Sequence, residues 1–236
     1  MFCIFNGRRF FILFKNSTGF FSGLFFAVSL NAQSSAGNMN GEEAAYRKTI
    51  NERAYKIVAP LGLKDSATFY KVQAVVAKQY FDLRDLDAGN ATAIKAVKST
   101  KEDPAAMAQQ LKAGEEKRNA MVEKLHADYL KRLSEWLNAG QIDVIKNGMT
   151  YNVLPLTYKG YLEMIPRLTT EERKFIMDAL VEAREHAMDA GTSEKKHAWF
   201  GKYKGRINNY LSKRGYDMNK ESKDWQERIK RQQSGK

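Results

Sequence analysis

Residues 193–215 contain the side chains that are best suited to binding chemistry. At about 100° per residue of an α-helix, aromatic and apolar side chains share one arc, and cationic side chains form a ridge beside it. The arc contains Trp199, Phe200, Tyr203, Ile207, Tyr210 and Leu211, and the ridge contains Lys195, Lys202, Arg206 and Lys213. Along such a border, ammonium and guanidinium groups can bind carboxylates while ring faces cover the C–H surface of a sugar. The segment therefore predicts a binding site for an anionic glycan.

The same spacing is also typical of an ordinary amphipathic helix. In that interpretation the apolar arc faces the core and the lysines extend into solvent. Both interpretations require the segment to be helical, and they differ in whether the cationic ridge is a binding surface.

Tyr151, Tyr158 and Tyr161 form a second group of candidate ligand-binding residues. A glycine at position 148 and prolines at positions 155 and 166 interrupt the helical pattern around them. We therefore expect an irregular loop between helices, which presents these rings to sugars or to partner side chains. Alternatively, the rings plug the core where the loop folds over the helices.

Two Glu-x-x-His motifs, Glu123 with His126 and Glu194 with His197, match the spacing found in carboxylate-bridged di-metal bundles. Such centres also require one glutamate from each of two further helices, and the second motif lies in a lysine-rich first turn. We therefore expect no metal and no cofactor.

No motif in the chain assigns catalytic residues. Acidic side chains line successive helical turns beside His186, and a carboxylate pair can hydrolyse a glycosidic bond. The acidic residues are Asp178, Glu182, Glu185 and Asp189. A solvated acidic face, partly paired with Arg184, explains the same spacing. No nucleophile elbow, phosphate-binding loop or zinc signature occurs in the sequence.

The elements that position these residues are predicted to be helical throughout. Apolar residues recur at helical spacing along the chain, and no alternating run indicates a sheet. Asp65 and Asp103 are suited to capping helices, and Thr169 with Glu172 forms a capping-box sequence. We therefore expect one all-α domain over residues 42–230, built as a multi-helix bundle. Residues 33–41 are predicted to be a flexible N-terminus, and residues 231–236 a disordered tail.

Residues 1–32 have the pattern of a cleaved signal peptide. Arg8, Arg9 and Lys15 precede an apolar run at residues 20–30, and Ala32 offers a small residue for cleavage. The run is too short to span a bilayer comfortably, so we expect an exported chain, periplasmic or secreted, without a stable transmembrane anchor. A retained anchor and a start codon further downstream are the alternatives. The only cysteine lies within this leader, so the mature chain has no disulfide.

The formal net charge of +12 is concentrated near the C-terminus. Residues 33–192 contain 23 lysines and arginines against 22 aspartates and glutamates, whereas residues 193–236 contain 13 against 5. An exported chain meets anionic polysaccharide or another cell-envelope anion before it meets nucleic acid. We therefore expect an anionic polysaccharide or envelope anion as the partner, and no nucleic acid.

Several segments of the second half of the chain resemble a single family. They are IKNGMTY at 145–151, TYKGY at 157–161, MIP at 164–166, LTTEE at 168–172, EAREHAM at 182–188 and KYKGRINNYL at 202–211. Together they resemble an uncharacterised family of exported helical proteins from Bacteroidetes, the domain of unknown function numbered thirty-eight twenty-six. The resemblance covers most of residues 42–227 and implies no catalytic residue. It implies a place near genes for the breakdown of plant polysaccharide, especially pectin, and hence an accessory role in polysaccharide use.

These observations leave three functional hypotheses. The first is a non-enzymatic protein that binds anionic glycan through residues 195–214, with or without the three tyrosines. The second is a polysaccharide-active hydrolase or lyase of unrecognised type, and the third is a periplasmic chaperone-like stress protein. A carboxylate or histidine in a cleft beside Arg206 and Tyr210 would favour the enzyme. Nothing in the sequence indicates an oligomeric state.

Overall fold

All the regular structure is helical in the part of the chain that the computed structural model describes, residues 33–100 and 103–234. The α-helices are α1 (Gln33–Val58), α2 (Ser66–Ser99), α3 (Pro104–Ser134), α4 (Ala139–Met149), α5 (Val153–Met164), α6 (Thr170–Met188), α7 (Ser193–Lys213) and α8 (Met218–Ser234). A 3-10 helix spans Ala59–Leu61. The prediction of an all-α, multi-helix fold is confirmed.

The described residues from Glu43 onward form one compact unit, and the start of α1 belongs to a separate one. The predicted signal peptide at residues 1–32 lies outside the described residues. Helix α1 begins at Gln33 and α8 ends at Ser234. Residues 33–41 and 231–234 are therefore helical, although we expected both segments to be flexible. The mobility of those two segments stays a prediction.

Local hydrogen bonds explain where several helices begin. The Asp65 carboxylate accepts hydrogen bonds from the backbone N–H groups of Ala67 and Thr68 at the start of α2. At the start of α6, the Thr169 hydroxyl accepts from the Glu172 N–H, and the Glu172 carboxylate accepts from the Thr169 N–H. These bonds satisfy amide groups that have no partner within the helix, as the sequence pattern predicted.

The prediction of an irregular loop between residues 146 and 166 is wrong. Helix α4 continues to Met149, and α5 occupies Val153–Met164. Pro155 lies in the first turn of α5, where a missing N–H removes no helical hydrogen bond. Gly148 lies within α4, where a Cβ atom would come 3.1 Å from Ile57 Cγ2. This glycine therefore permits close helix packing and does not end the helix.

The turn between α4 and α5 is tight. Tyr151 and Asn152 both have positive φ angles, 57° and 55°, which non-glycine residues seldom adopt. The Asn152 N–H donates to the Asn147 carbonyl over 2.8 Å, which satisfies one of the last carbonyls of α4.

Two clusters of buried apolar side chains stabilise the fold. Helices α1 to α4 contribute most of the first cluster, which includes Tyr129, Leu133 and Ile145. Helices α5, α6 and α7 build the second, which includes Leu180 and Ile207. The second cluster fixes α7 against α6, so the opposite side of α7 is left to face solvent.

Candidate functional site

Helices α6 and α7 form an antiparallel hairpin with matched side chains. Near the closed end of the hairpin the His186 ring stacks on Trp199, with centroids 4.4 Å apart. One to two turns further along, Glu182 Oε2 accepts a hydrogen bond from Arg206 Nη1 over 2.8 Å. The two helices thus present one continuous outer surface, because residues on α6 pair in reverse order with residues on α7.

An open pocket of about 560 Å³ lies on this surface and is called here the α6–α7 pocket. Its lining residues are Phe175, Lys202, Gly205, Arg206, Asn209, Tyr210 and Lys213. All of them except Phe175 lie on α7, where they recur at helical spacing along one face. The pocket therefore includes four of the residues predicted from the sequence to form the cationic ridge and its aromatic border.

Two stacked aromatic rings line the pocket. The rings of Phe175 and Tyr210 have centroids 3.8 Å apart and planes inclined by 16°. Both side chains are half-buried and pack against the second apolar cluster. Because each ring holds the other in place, the pair forms a preorganised apolar surface beside the cations.

The three cations of the pocket differ in their partners. Arg206 is paired with Glu182, and both groups are exposed, so this ion pair adds little stability. Lys202 and Lys213 form no ion pair with any described residue, although Lys202 Nζ lies 4.9 Å from the centre of the Trp199 ring. No carboxylate of the described residues lines the pocket. Two ammonium groups are therefore available to an anionic ligand.

Glu182 is the carboxylate that pairs with Arg206 of the pocket, and hydrogen bonds from its neighbours occupy both of its oxygens. Oε1 accepts a hydrogen bond from the Tyr203 hydroxyl over 2.6 Å, and Oε2 accepts from Arg206. These bonds, led by that from Tyr203, lower the pKa of Glu182 below its ordinary value. Burial and the same bond raise the pKa of Tyr203 to about 12. Glu182 therefore stays ionised and holds Arg206 in position.

Lys195 and Trp199 were also predicted to belong to the site. Both lie on α7, but neither lines the pocket. Lys195 is exposed in the first turn, and Trp199 is partly buried against the second apolar cluster. Seven residues separate Lys195 from Lys202, so the two lie on nearly the same face of the helix. They extend the pocket surface toward the start of α7.

The structure does not bring the three predicted tyrosines into the pocket. Tyr161 is only 6% exposed, and its hydroxyl donates to Asn208 Oδ1 over 2.7 Å, so it is a core residue. Tyr158 packs partly buried against the same apolar cluster. Tyr151 is 45% exposed and stacks on His197, which lies nine residues before Arg206 and so on the opposite side of α7.

A comparison with models of protein families identifies the family of the chain. The family model described as "Protein of unknown function (DUF3826)" matches residues 47–231. The chain belongs to this family. The match runs from α1 to α8 and contains every residue of the α6–α7 pocket. A search of curated proteins found no match.

This DUF3826 chain also contains a polar centre that the sequence analysis missed, where α3, α4 and α6 meet. His126 Nδ1 lies 2.7 Å from Asp189 Oδ2, and His126 Nε2 lies 3.4 Å from Glu185 Oε2. Lys146 Nζ donates to Glu185 Oε2 over 2.8 Å. The amide nitrogen of buried Gln79, on α2, lies 3.4 Å from Asp189 Oδ1. The polar centre therefore connects four helices through side chains.

The charges of the polar centre stabilise one another. Hydrogen bonding to Asp189, and then to Glu185, raises the pKa of His126 to about 9. Burial alone would raise the pKa of Glu185, but hydrogen bonds from His126 and Lys146 outweigh it and lower that pKa to about 2. At neutral pH the histidine is thus a cation between two carboxylates. Such an arrangement is suited to joining helices, since both carboxylates already accept hydrogen bonds from other helices.

The acidic residues of α6 do not form the single solvated face that was one interpretation of their spacing. Each has a different cationic partner: Asp178 pairs with Lys174, Glu182 with Arg206, Glu185 with Lys146 and Asp189 with His126. Arg184 is buried, and its guanidinium donates to Asp143 and Asn147 on α4. Its contact with Glu185 is longer, at 3.4 Å.

Two further properties concern metals and membranes. Among the described residues, no group of three or more His, Cys, Asp or Glu side chains is arranged to hold a metal ion. No helix in residues 33–100 and 103–234 is long and apolar enough to cross a membrane.

Proposed function

We propose that this protein is exported and binds an anionic glycan in the α6–α7 pocket, as an accessory protein of polysaccharide use. The observation that carries the proposal is the composition of the pocket. The ammonium groups of Lys202 and Lys213 lie beside the stacked rings of Phe175 and Tyr210. Within the part of the chain that the structure describes, neither ammonium group has an ion-pair partner and no carboxylate lines the same surface.

This combination matches the two chemical features of an acidic sugar. The carboxylate of a uronate can accept charge-assisted hydrogen bonds from ammonium and guanidinium groups. The C–H face of the sugar ring can pack on an aromatic surface. Arg206 supports the same role, because its ion pair with Glu182 orients a guanidinium toward the pocket that it lines.

The charge distribution along the chain supports the same partner. Residues 193–236 include all of α7 and α8, and they carry 13 cationic against 5 anionic side chains. A local excess of one sign raises the concentration of oppositely charged ligands near the surface and speeds their association. An acidic polymer would therefore be attracted to the part of the chain that contains the pocket.

A polysaccharide-active enzyme is the second candidate, and one observation favours it. Glu182 lies beside Arg206, and His186 lies beside Trp199, so a carboxylate and a histidine border the proposed binding surface. The occupied oxygens and lowered pKa of Glu182 make it a poor proton donor. A binding function needs no such proton transfer, and we therefore prefer it.

Incubation of the mature protein with acidic glycans separates the two candidates. Retention of the protein on immobilised polygalacturonate, without new reducing ends and without any change in the mass of soluble oligogalacturonates, supports binding alone. New reducing ends or altered masses that disappear in Glu182→Gln or His186→Gln variants would establish the enzyme. Absence of both retention and product would reject both candidates.

A further inference from the structure

A second groove lies far along the sequence from the α6–α7 pocket, between α1 and the start of α2. Its volume is about 490 Å³, and it is called here the α1–α2 groove. It is lined by Lys48, Asn51, Glu52, Tyr55 and Lys56 from α1 and by Gln73 from α2. The five α1 residues recur at spacings of three and four, so they form one face of that helix.

Tyr55, which lines the α1–α2 groove, belongs to an exposed aromatic group. Tyr55 is 50% exposed and meets Phe69 edge to face, with ring centroids 5.2 Å apart. Phe69 meets Tyr70 in the same way at 5.5 Å, and Tyr70 is 63% exposed. Single exposed aromatic residues are common on protein surfaces, but here two exposed rings are held by a third. The group is therefore a fixed apolar surface in contact with solvent.

The polar lining of the groove is held in place by backbone contacts. Gln73 Nε2 donates to the Asn51 carbonyl over 3.0 Å, and Asn51 Nδ2 donates to the Arg47 carbonyl over 2.9 Å. The side-chain nitrogen of each amide is therefore engaged in a hydrogen bond within the protein. The side-chain carbonyl oxygens of Asn51 and Gln73 accept no hydrogen bond from another described residue, and so they remain acceptors for a ligand.

The charged side chains of the groove are not paired with one another. Glu52 lies four residues from both Lys48 and Lys56, a spacing at which ion pairs commonly form on a helix. None of the three forms an ion pair with a described residue. The groove therefore offers donors and acceptors together, with one anion beside two cations, whereas every charged residue that lines the α6–α7 pocket is a cation.

We propose that the α1–α2 groove is a second carbohydrate-binding site, and that it takes neutral sugars. A neutral sugar presents hydroxyl groups, each of which both donates and accepts, on a ring with an apolar C–H face. The ammonium groups and carbonyl oxygens of the groove complement the hydroxyls, and the Tyr55 ring complements the C–H face. The groove and the α6–α7 pocket share no lining residue, so binding at one site does not require binding at the other.

Affinity electrophoresis in gels that contain neutral polysaccharide tests the proposal directly. Galactan, arabinan and xylan serve as separate probes, at physiological salt, where attraction between distant exposed charges is largely screened. The parent protein is expected to be retarded in at least one of the three gels. Tyr55→Ala is expected to weaken that binding about tenfold, and Tyr55→Phe to retain it, because the ring and not the hydroxyl supplies the contact.

Matched variants distinguish binding in the groove from nonspecific adsorption to the polysaccharide. Tyr151→Ala also removes a half-exposed tyrosine, but on the turn between α4 and α5, and is expected to migrate as the parent does. The double variant Lys202→Ala with Lys213→Ala should likewise keep neutral binding, since it alters the other site. The proposal is overturned if no gel retards the parent, or if Tyr55→Ala and Tyr151→Ala behave alike while both retain the parent's helical circular dichroism.

Discussion

The ring of Tyr210 on α7 stacks on the ring of Phe175 on α6, with centroids 3.8 Å apart. This contact sets the position of the cationic face of α7, because Lys213 lies one turn from Tyr210 along the helix. The aromatic pair and the neighbouring lysines therefore form one surface that draws on two helices. The glycan-binding proposal depends on both parts of that surface, and each part can be removed separately.

Removal of the two unpaired lysines tests the cationic part. We expect Lys202→Ala with Lys213→Ala to weaken retention on polygalacturonate at least tenfold, because two charge-assisted contacts are lost. The free energy of unfolding should change by no more than about 0.5 kcal/mol, since both side chains are exposed. Lys124→Ala with Lys159→Ala removes the same charge elsewhere and serves as the control. Equal losses in the two double variants would show that only net charge matters.

The dependence of binding on salt tests the aromatic part. Exposed charges are screened over about 8 Å at 0.15 M ionic strength, whereas contacts between a ring and a sugar face are not. We expect partial release of polygalacturonate on going from low to physiological salt, and loss of the remaining binding in Tyr210→Ala. Tyr151→Ala should keep the salt-resistant part, because Tyr151 lies on the other side of α7. Complete release by salt in the parent would reduce the pocket to a general basic patch.

The residues that share the cationic face of α7 could be predicted from the sequence, because helical spacing is a local property of the sequence. The start of α6 could be predicted for the same reason, since Thr169 and Glu172 are three residues apart. The polar centre could not, because His126 and Asp189 are 63 residues apart and meet only when the helices pack. The motif of Glu123 with His126 includes the histidine of the polar centre, but the carboxylates that contact this histidine are Asp189 and Glu185 and not Glu123.

The error in the α4–α5 region has a different physical cause. Glycine and proline disfavour the interior of a helix, but proline is compatible with a first turn, and glycine is favoured where helices approach closely. Pro155 lies in the first turn of α5, and Gly148 lies where α4 approaches Ile57 of α1. The first position depends on where α5 begins and the second on how the helices pack, and neither is evident from the residue type alone. Their presence therefore did not indicate a loop.

Tyr161 provides a test of its placement in the core. Tyr161→Ala should lower the free energy of unfolding by about 3–5 kcal/mol, as expected when a buried aromatic side chain is deleted. Tyr161→Phe should cost about 1 kcal/mol, because it removes only the hydroxyl, which bonds to Asn208 Oδ1 and lies 3.5 Å from the Lys204 carbonyl oxygen. Urea denaturation followed by circular dichroism measures both. A loss in Tyr161→Ala no larger than that in Tyr151→Ala would contradict the core position.

The polar centre makes stability depend on pH through His126. Its pKa is raised from 6.5 to about 9 in the folded protein, so folding favours the charged form. The resulting stabilisation is fully present below pH 6.5, declines as the pH rises, and is lost above about pH 9. We expect His126→Gln to lower the melting temperature by about 3 °C or more at pH 6, and by much less at pH 10. A difference between parent and variant that is constant over this range would contradict the proposed charge state.

The most direct test of the central claim compares two polymers that differ only in charge. Isothermal titration calorimetry of residues 33–236 at physiological salt should detect binding of polygalacturonate and much weaker binding of the same polymer after reduction of its carboxylates to alcohols. The triple variant Lys202→Ala, Lys213→Ala, Tyr210→Ala should bind neither polymer in the α6–α7 pocket and so lose the difference between them. Equal binding of the two polymers by the parent, or an unchanged preference in the triple variant, would contradict the account.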